Sequence, residues 1–159
     1  MGTHGHPIIP NHYFSPASAE CQLLFKNECY YGCIALCQSV AEALARFMYE
    51  NWTGNPPEKY FRCNIQMSKI ADVQPDVSDL LKEIYGGQQR NDFHHLNKNV
   101  PTEYDELQSI ATRKIELLNK VESQVFECKF TDRGLNPKYP KYWSLVDGRY
   151  EVFLKFDHP

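Results

Sequence analysis

Cys33-Ile34-Ala35-Leu36-Cys37-Gln38-Ser39-Val40-Ala41-Glu42-Ala43-Leu44-Ala45-Arg46-Phe47 is the stretch that decides the fold class. Cys33, Cys37, Val40, Leu44 and Phe47 alternate steps of four and three, the spacing that stacks side chains on one face of a helix. Tyr30, Ile34, Ala41 and Met48 form a second apolar strip, so this helix is expected to be buried on more than one side, with room for a partner chain beside its own core. The pattern extends from Ser15-Pro16, with proline at a first-turn position, to Asn51, and Trp52-Thr53-Gly54-Asn55-Pro56-Pro57 ends it.

Downstream, Phe61, Cys63, Ile65 and Met67 alternate like a strand, whereas Met67, Ile70, Ala71 and Val73 have helical spacing; a short helix from about Asn64 is the preferred reading. Pro75-Asp76 opens a helix carrying Leu80, Leu81, Ile84 and Tyr85, and Gly86-Gly87 bends or weakens it just before Arg90. After the break at Asn99-Val100-Pro101, Thr102 and Asp105 read as a capping box. It opens a long helix whose Leu107, Ala111, Ile115, Leu118, Val121 and Val125 face the core. Near the end, Asp147-Gly148 is a type I′ hairpin signal between 142–146 and 149–156. Pairing across it aligns Trp143, Leu145, Tyr150, Val152 and Leu154 on one face, packed on the helices or on another protomer. The expectation is an all-α fold: a flexible arm over 1–15, a bundle of four to five helices over 16–128, and an extension over 129–159 whose β-hairpin packs on the bundle.

With 159 residues, 42% of them hydrophobic, the chain has the size of one domain and ample material for a core. A net charge of −3 is the wrong sign for nucleic-acid binding through a broad basic surface, so any RNA contact must be local. No apolar run is long enough to span a bilayer, and Met1 to His6 lacks the design of a secretory signal; the chain reads as cytoplasmic, with no membrane partner. The cysteines at 21, 29, 33, 37, 63 and 128 form no Cys-x-x-Cys pair, and Cys29, Cys33 and Cys37, every fourth residue, read as small core side chains rather than metal ligands. His4, His6 and His12 lie in an unpatterned segment with no scaffold to fix a metal. Ser-His-Asp hydrolysis, a glycine-rich phosphate loop and HExxH zinc chemistry all lack their residues.

One segment does carry chemistry: Arg90-Asn91-Asp92-Phe93-His94-His95-Leu96-Asn97. A guanidinium holds a phosphate in a bidentate fork, and an imidazole moves protons near neutrality, so the pair is a minimal site for attack of a ribose 2′-hydroxyl on its own phosphodiester without a metal or other cofactor. Spacing alone is weak, because six arginines and six histidines in a chain this long yield about 0.7 such matches by chance. The competing reading is an internal ion pair of Arg90 with Glu42 or Asp92, with both histidines finishing a helix.

Long helix, break, shorter helix ending in these residues, proline-containing loop and long closing helix: over roughly residues 21–127 this arrangement resembles the HEPN superfamily. Arg90 and His95 fit its arginine, four to six residues, histidine motif, Asn91 fits the polar residue after the arginine, and Glu42 lies where many members place a glutamate. The resemblance implies an endoribonuclease of toxin or antiviral-defence type whose site forms between two protomers, hence a homodimer acting on RNA, with an antitoxin or regulatory protein as a further partner. It implies that Arg90 stabilises the pentavalent phosphate, His95 carries the proton, Asn91 orients His95 or the phosphate, and Glu42 holds Arg90. His94 rivals His95, since it follows Arg90 by four residues and shares its helical face. Members paired with a nucleotidyltransferase antitoxin carry tyrosine two residues after the histidine; Asn97 stands there, so regulation through that tyrosine is not expected. The alternative is a non-catalytic HEPN module that binds a nucleotide or a protein.

Overall fold

The apolar periodicity around Cys37 becomes the central helix. In the computed structural model, which describes residues 8–57, 70, 74–85 and 87–155, five helices are seen: α1 (Ser15–Lys26), α2 (Tyr30–Thr53), α3 (Pro75–Tyr85), α4 (Gly87–His95) and α5 (Tyr104–Val125). The short helix expected from Asn64 falls outside the described residues, apart from Ile70. Cys33, Ile34, Cys37, Ala41, Leu44 and Met48 are fully buried in α2, so both of its apolar strips are used. They meet Ala111, Ile115, Leu118, Val121 and Val125 of α5, as the spacing of those residues predicts.

Side-chain pairs fix the helix directions. Ser18 donates to Glu122 and Gln22 to Asn119, so α1 runs antiparallel to α5. Tyr30 meets Tyr104 at one end, while Phe14 bridges Phe47 and Phe126 at the other, so α2 and α5 run parallel. Lys114, almost fully buried in α5, donates to the carbonyls of Glu83 (3.1 Å) and Ile84 (2.6 Å), satisfying the C-terminal end of α3; burial lowers its pKa.

The structure corrects the sequence reading at several points. Residues 15–51 are two helices rather than one: the Cys29 N–H bonds back to the Leu24 carbonyl, and Glu28, at φ +60°, takes the left-handed position that closes α1. Cys29 therefore leaves the stripe and is exposed, and Cys21 of α1 joins Cys33 and Cys37 in the core. The N-cap of α5 is Glu103, with no side-chain cap; Asp105 and Glu106 instead place negative charge against the helix N-terminus. Finally, residues 8–15, expected as part of an arm, belong to the folded body. β1 (Ile8–Pro10) pairs antiparallel with β6 (Val152–Leu154), and Ile9, Phe14 and Ser15 are buried.

That last pairing also redirects the C-terminal hairpin. Asp147 and Gly148 adopt the positive φ angles of a type I′ turn, and β4 (Leu145–Val146) pairs with β5 (Arg149–Tyr150). Glu151 then interrupts the strand before β6. Phe153 packs on the core, while Leu145, Val152 and Leu154, expected on the buried face, are exposed. A one-residue change of phase exchanges the faces of a strand. A second hairpin, β2 (Cys128–Thr131) with β3 (Gly134–Pro137), precedes it, and a 3-10 turn at Pro140–Tyr142 lays Tyr142 and Trp143 over the base of the bundle. Among the described residues no helix is long and apolar enough to cross a membrane.

Candidate functional site

Among the described residues, Phe93 and Arg90 tie helix α4 to α2. Phe93, 1% exposed, is its apolar anchor: its ring lies 5.6 Å from that of Tyr31, whose hydroxyl donates to the Phe93 carbonyl. One turn earlier along α4, the Arg90 guanidinium reaches Glu42 Oε2 at 3.2 Å, a pair that the competing reading of an internal ion pair and the family resemblance both anticipate. The other oxygen of Glu42 accepts from Arg46 at 3.2 Å, an i,i+4 pair within α2. One carboxylate thus joins two guanidiniums, one from its own helix and one from α4. All three side chains are a little under one-third exposed at the seam between α2 and α4.

Beyond Arg90 the helix carries Asn91, His94 and His95, all exposed. The two imidazoles meet edge to face with centroids 5.1 Å apart, and neither ring bonds to another described residue; the Asn91 side chain is likewise unbonded, so it orients neither histidine. The helix ends at His95. Leu96, at φ +52°, takes the left-handed position, the Asn97 N–H reaches the Asp92 carbonyl at 3.2 Å, and the Asn97 side-chain amide reaches the Asp92 carboxylate at 2.7 Å. Since α4 remains helical through His95, His94 is the histidine on Arg90's face, one turn further on, and His95 is rotated from it. The same helix end fits the competing reading, in which the histidines complement the dipole.

Arg46 and Tyr31 were missed in the sequence. Glu42 and Arg46 at i,i+4 are a legible ion pair, whereas nothing local marks Tyr31 as the partner of a carbonyl 62 positions away.

Elsewhere, titratable groups serve the architecture. The His12 imidazole lies 4.3 Å from the Phe47 ring and its Nε2 donates to the Tyr142 carbonyl at 2.6 Å; burial pushes its pKa down, against smaller upward effects of that bond and of Glu151. Bonding to Cys37, together with burial, pushes the Cys33 thiol up, and Cys37 is raised by its bond to Cys21; such thiols are inert packing groups. No three His, Cys, Asp or Glu side chains among the described residues form a group able to hold a metal. A groove of about 460 Å³ follows α5, lined by Asp105, Gln108, Ser109, Thr112, Arg113 and Glu116, and contains none of the candidate residues.

Comparison of the chain with protein-family models, with curated proteins and with solved structures found no match.

Proposed function

We propose that this chain is a HEPN-type, metal-independent endoribonuclease of the toxin or antiviral-defence kind, working in the cytoplasm at a site that two copies complete. The observation that carries the reading is the grip of Glu42 on Arg90 from a separate helix, with two solvent-exposed imidazoles four and five residues further along α4. Arg90 and Arg46 draw in the phosphodiester, and Arg90 stabilises the charge that builds on its equatorial oxygens. One imidazole takes the proton of the 2′-hydroxyl as that oxygen attacks phosphorus. A second gives a proton to the departing 5′-oxygen, leaving a 2′,3′-cyclic phosphate and a 5′-hydroxyl. A twofold pairing of α4 ends supplies two guanidiniums and two pairs of imidazoles to one cleft, which is why a homodimer suits the chemistry. His94 is the first choice for proton carrier on geometry, and His95 on motif spacing.

The test is incubation of the purified chain with single-stranded and structured RNA in EDTA, alongside Arg90→Ala, His94→Ala and His95→Ala. Loss of one donor that stabilises developing charge costs about 10²–10³ in rate, and loss of an acid or base about 10²–10⁴. Wild-type rates in Arg90→Ala and in both histidine variants would remove the proposal. Tight binding of ATP or ADP with RNA left intact would favour a non-catalytic nucleotide-binding module.

A further inference from the structure

We infer that the β2–β3 hairpin binds single-stranded RNA, with a base stacked on Phe130 and phosphates held by Lys129 and Arg133; that the strand is RNA rather than DNA rests on the nuclease reading above. The register of the ribbon sorts its side chains. Cys128 pairs with Pro137 and Phe130 with Leu135, so these four residues share one face. Pro137 is buried and Cys128 and Leu135 pack partly on the core, which anchors that face at its base. Phe130, one step nearer the turn than Cys128, is 69% exposed. The turn beyond it is well formed: Thr131 Oγ1 accepts from the Arg133 N–H at 3.3 Å and donates to the Gly134 carbonyl at 3.1 Å. A ring left in water at the end of an ordered ribbon adds little to the core, but it offers an open face on which a base can stack.

Charge complements the ring. From Cys128 to Tyr142 there are four cations, Lys129, Arg133, Lys138 and Lys141, and one acid, Asp132, so this stretch is +3 in a chain whose net charge is −3. All four cations are exposed. Lys138 pairs with Glu127 at 2.9 Å and Lys141 lies over the Trp52 ring at 3.5 Å, so both are engaged near the base of the bundle. Lys129 and Arg133, on either side of Phe130 along the chain, form no ion pair among the described residues; Asp132, in the same turn, is the one opposing charge within the hairpin. The hairpin thus supplies a local positive surface to a chain whose overall charge repels a polyanion. A single strand suits it better than a duplex, in which base faces are already covered by one another. An unpaired base can lie on the Phe130 ring while the flexible cations beside it take the neighbouring phosphates.

The experiment is fluorescence anisotropy with a labelled 2′-O-methyl RNA oligonucleotide, which is not cut because its attacking hydroxyl is blocked, on wild type, Phe130→Ala and the double variant Lys129→Gln, Arg133→Gln. Phe130→Ala should bind about fivefold more weakly or worse, the loss of one stacked base, and melt as wild type does because the ring is exposed. The double variant should lower the slope of log affinity against log salt by about 1.4, at about 0.7 for each phosphate contact on a single strand. Wild-type affinity in Phe130→Ala, or a wild-type salt slope in the double variant, overturns the inference. So does equal affinity for a blunt RNA duplex, and so does displacement by polyglutamate of equal charge as effective as that by unlabelled oligonucleotide, which would mark an acidic protein as the occupant. Cleavage by Arg90→Ala keeps the two readings apart: an undiminished rate removes the nuclease reading, while weakened binding in the hairpin variants still supports the hairpin as a strand-binding surface. Should either hairpin variant melt below wild type, the wild-type chain decides: the Phe130 ring resonances should move upfield as the oligonucleotide is added, and resonances that stay in place overturn the proposal.

Discussion

Replacing Lys155 with methionine should strip the protein of a large part of its stability, although Lys155 lies within five residues of the chain end. Its side chain is 0% exposed and its Nζ lies 2.9 Å from Oε2 of Glu122, itself 2% exposed, while the other oxygen of Glu122 accepts from Ser18 of α1. One carboxylate therefore ties α1, α5 and the segment after β6 together. Methionine keeps most of the volume but leaves Glu122 buried without its cation. Breaking a buried pair from one side costs about 3–5 kcal/mol. At roughly 2–4 °C per kcal/mol for a chain of this size, the midpoint should fall by about 6–20 °C. Thermal unfolding followed by far-ultraviolet circular dichroism at fixed pH and protein concentration measures it. The double variant Lys155→Met, Glu122→Gln should recover most of the loss, because it removes both charges, and the resulting double-mutant cycle isolates the coupling. A midpoint within 2 °C of wild type, an estimate below about 1 kcal/mol, would refute the claim that this pair anchors the C-terminal segment.

Arg90→Ala should lower stability by less than about 1 kcal/mol, because its ion pair with Glu42 is partly solvated and such pairs contribute little; chemical denaturation checks this, and a larger loss would make Arg90 a structural residue. For His12, burial lowers the folded-state pKa below 6.5, so between the two values the unfolded chain binds more protons; the contribution of His12 is whole above about pH 6.5 and is lost as pH falls toward the lowered value. His12→Gln should flatten that part of the stability–pH curve, and urea midpoints from pH 7.5 down to pH 5 would show an unchanged slope if the argument is wrong.

Much of the helical body was legible because its cause is local. The steps of four and three from Cys33 to Phe47 and from Ala111 to Val125 are the core itself, and Asp147-Gly148 carries its turn in its own φ preferences. What escaped reading depends on distant partners. Nothing near Ile8 indicates a pairing with Leu154, and that pairing is what turns Phe153 inward and leaves Val152 and Leu154 outside. The break at Glu28 is closed by a non-glycine residue in the left-handed region, a position for which sequence usually offers glycine as the signal. Thr131-Asp132-Arg133-Gly134, with Gly134 at φ +102°, carries a turn signal of its own, joining β2 to β3. Within the site, Glu42 and Arg90 are 48 residues apart, and no local pattern pairs them; the resemblance and the competing ion-pair reading both named the pair. The choice of His94 over His95 on geometry needed to know where α4 ends.

The most direct measurement is end-group analysis of RNA incubated with the protein in EDTA. The account predicts fragments ending in 2′,3′-cyclic phosphate and beginning with a 5′-hydroxyl, produced by the wild-type chain and lost in Arg90→Ala. Intact RNA, 5′-phosphate ends, or the same fragments from Arg90→Ala at an equal rate would contradict it.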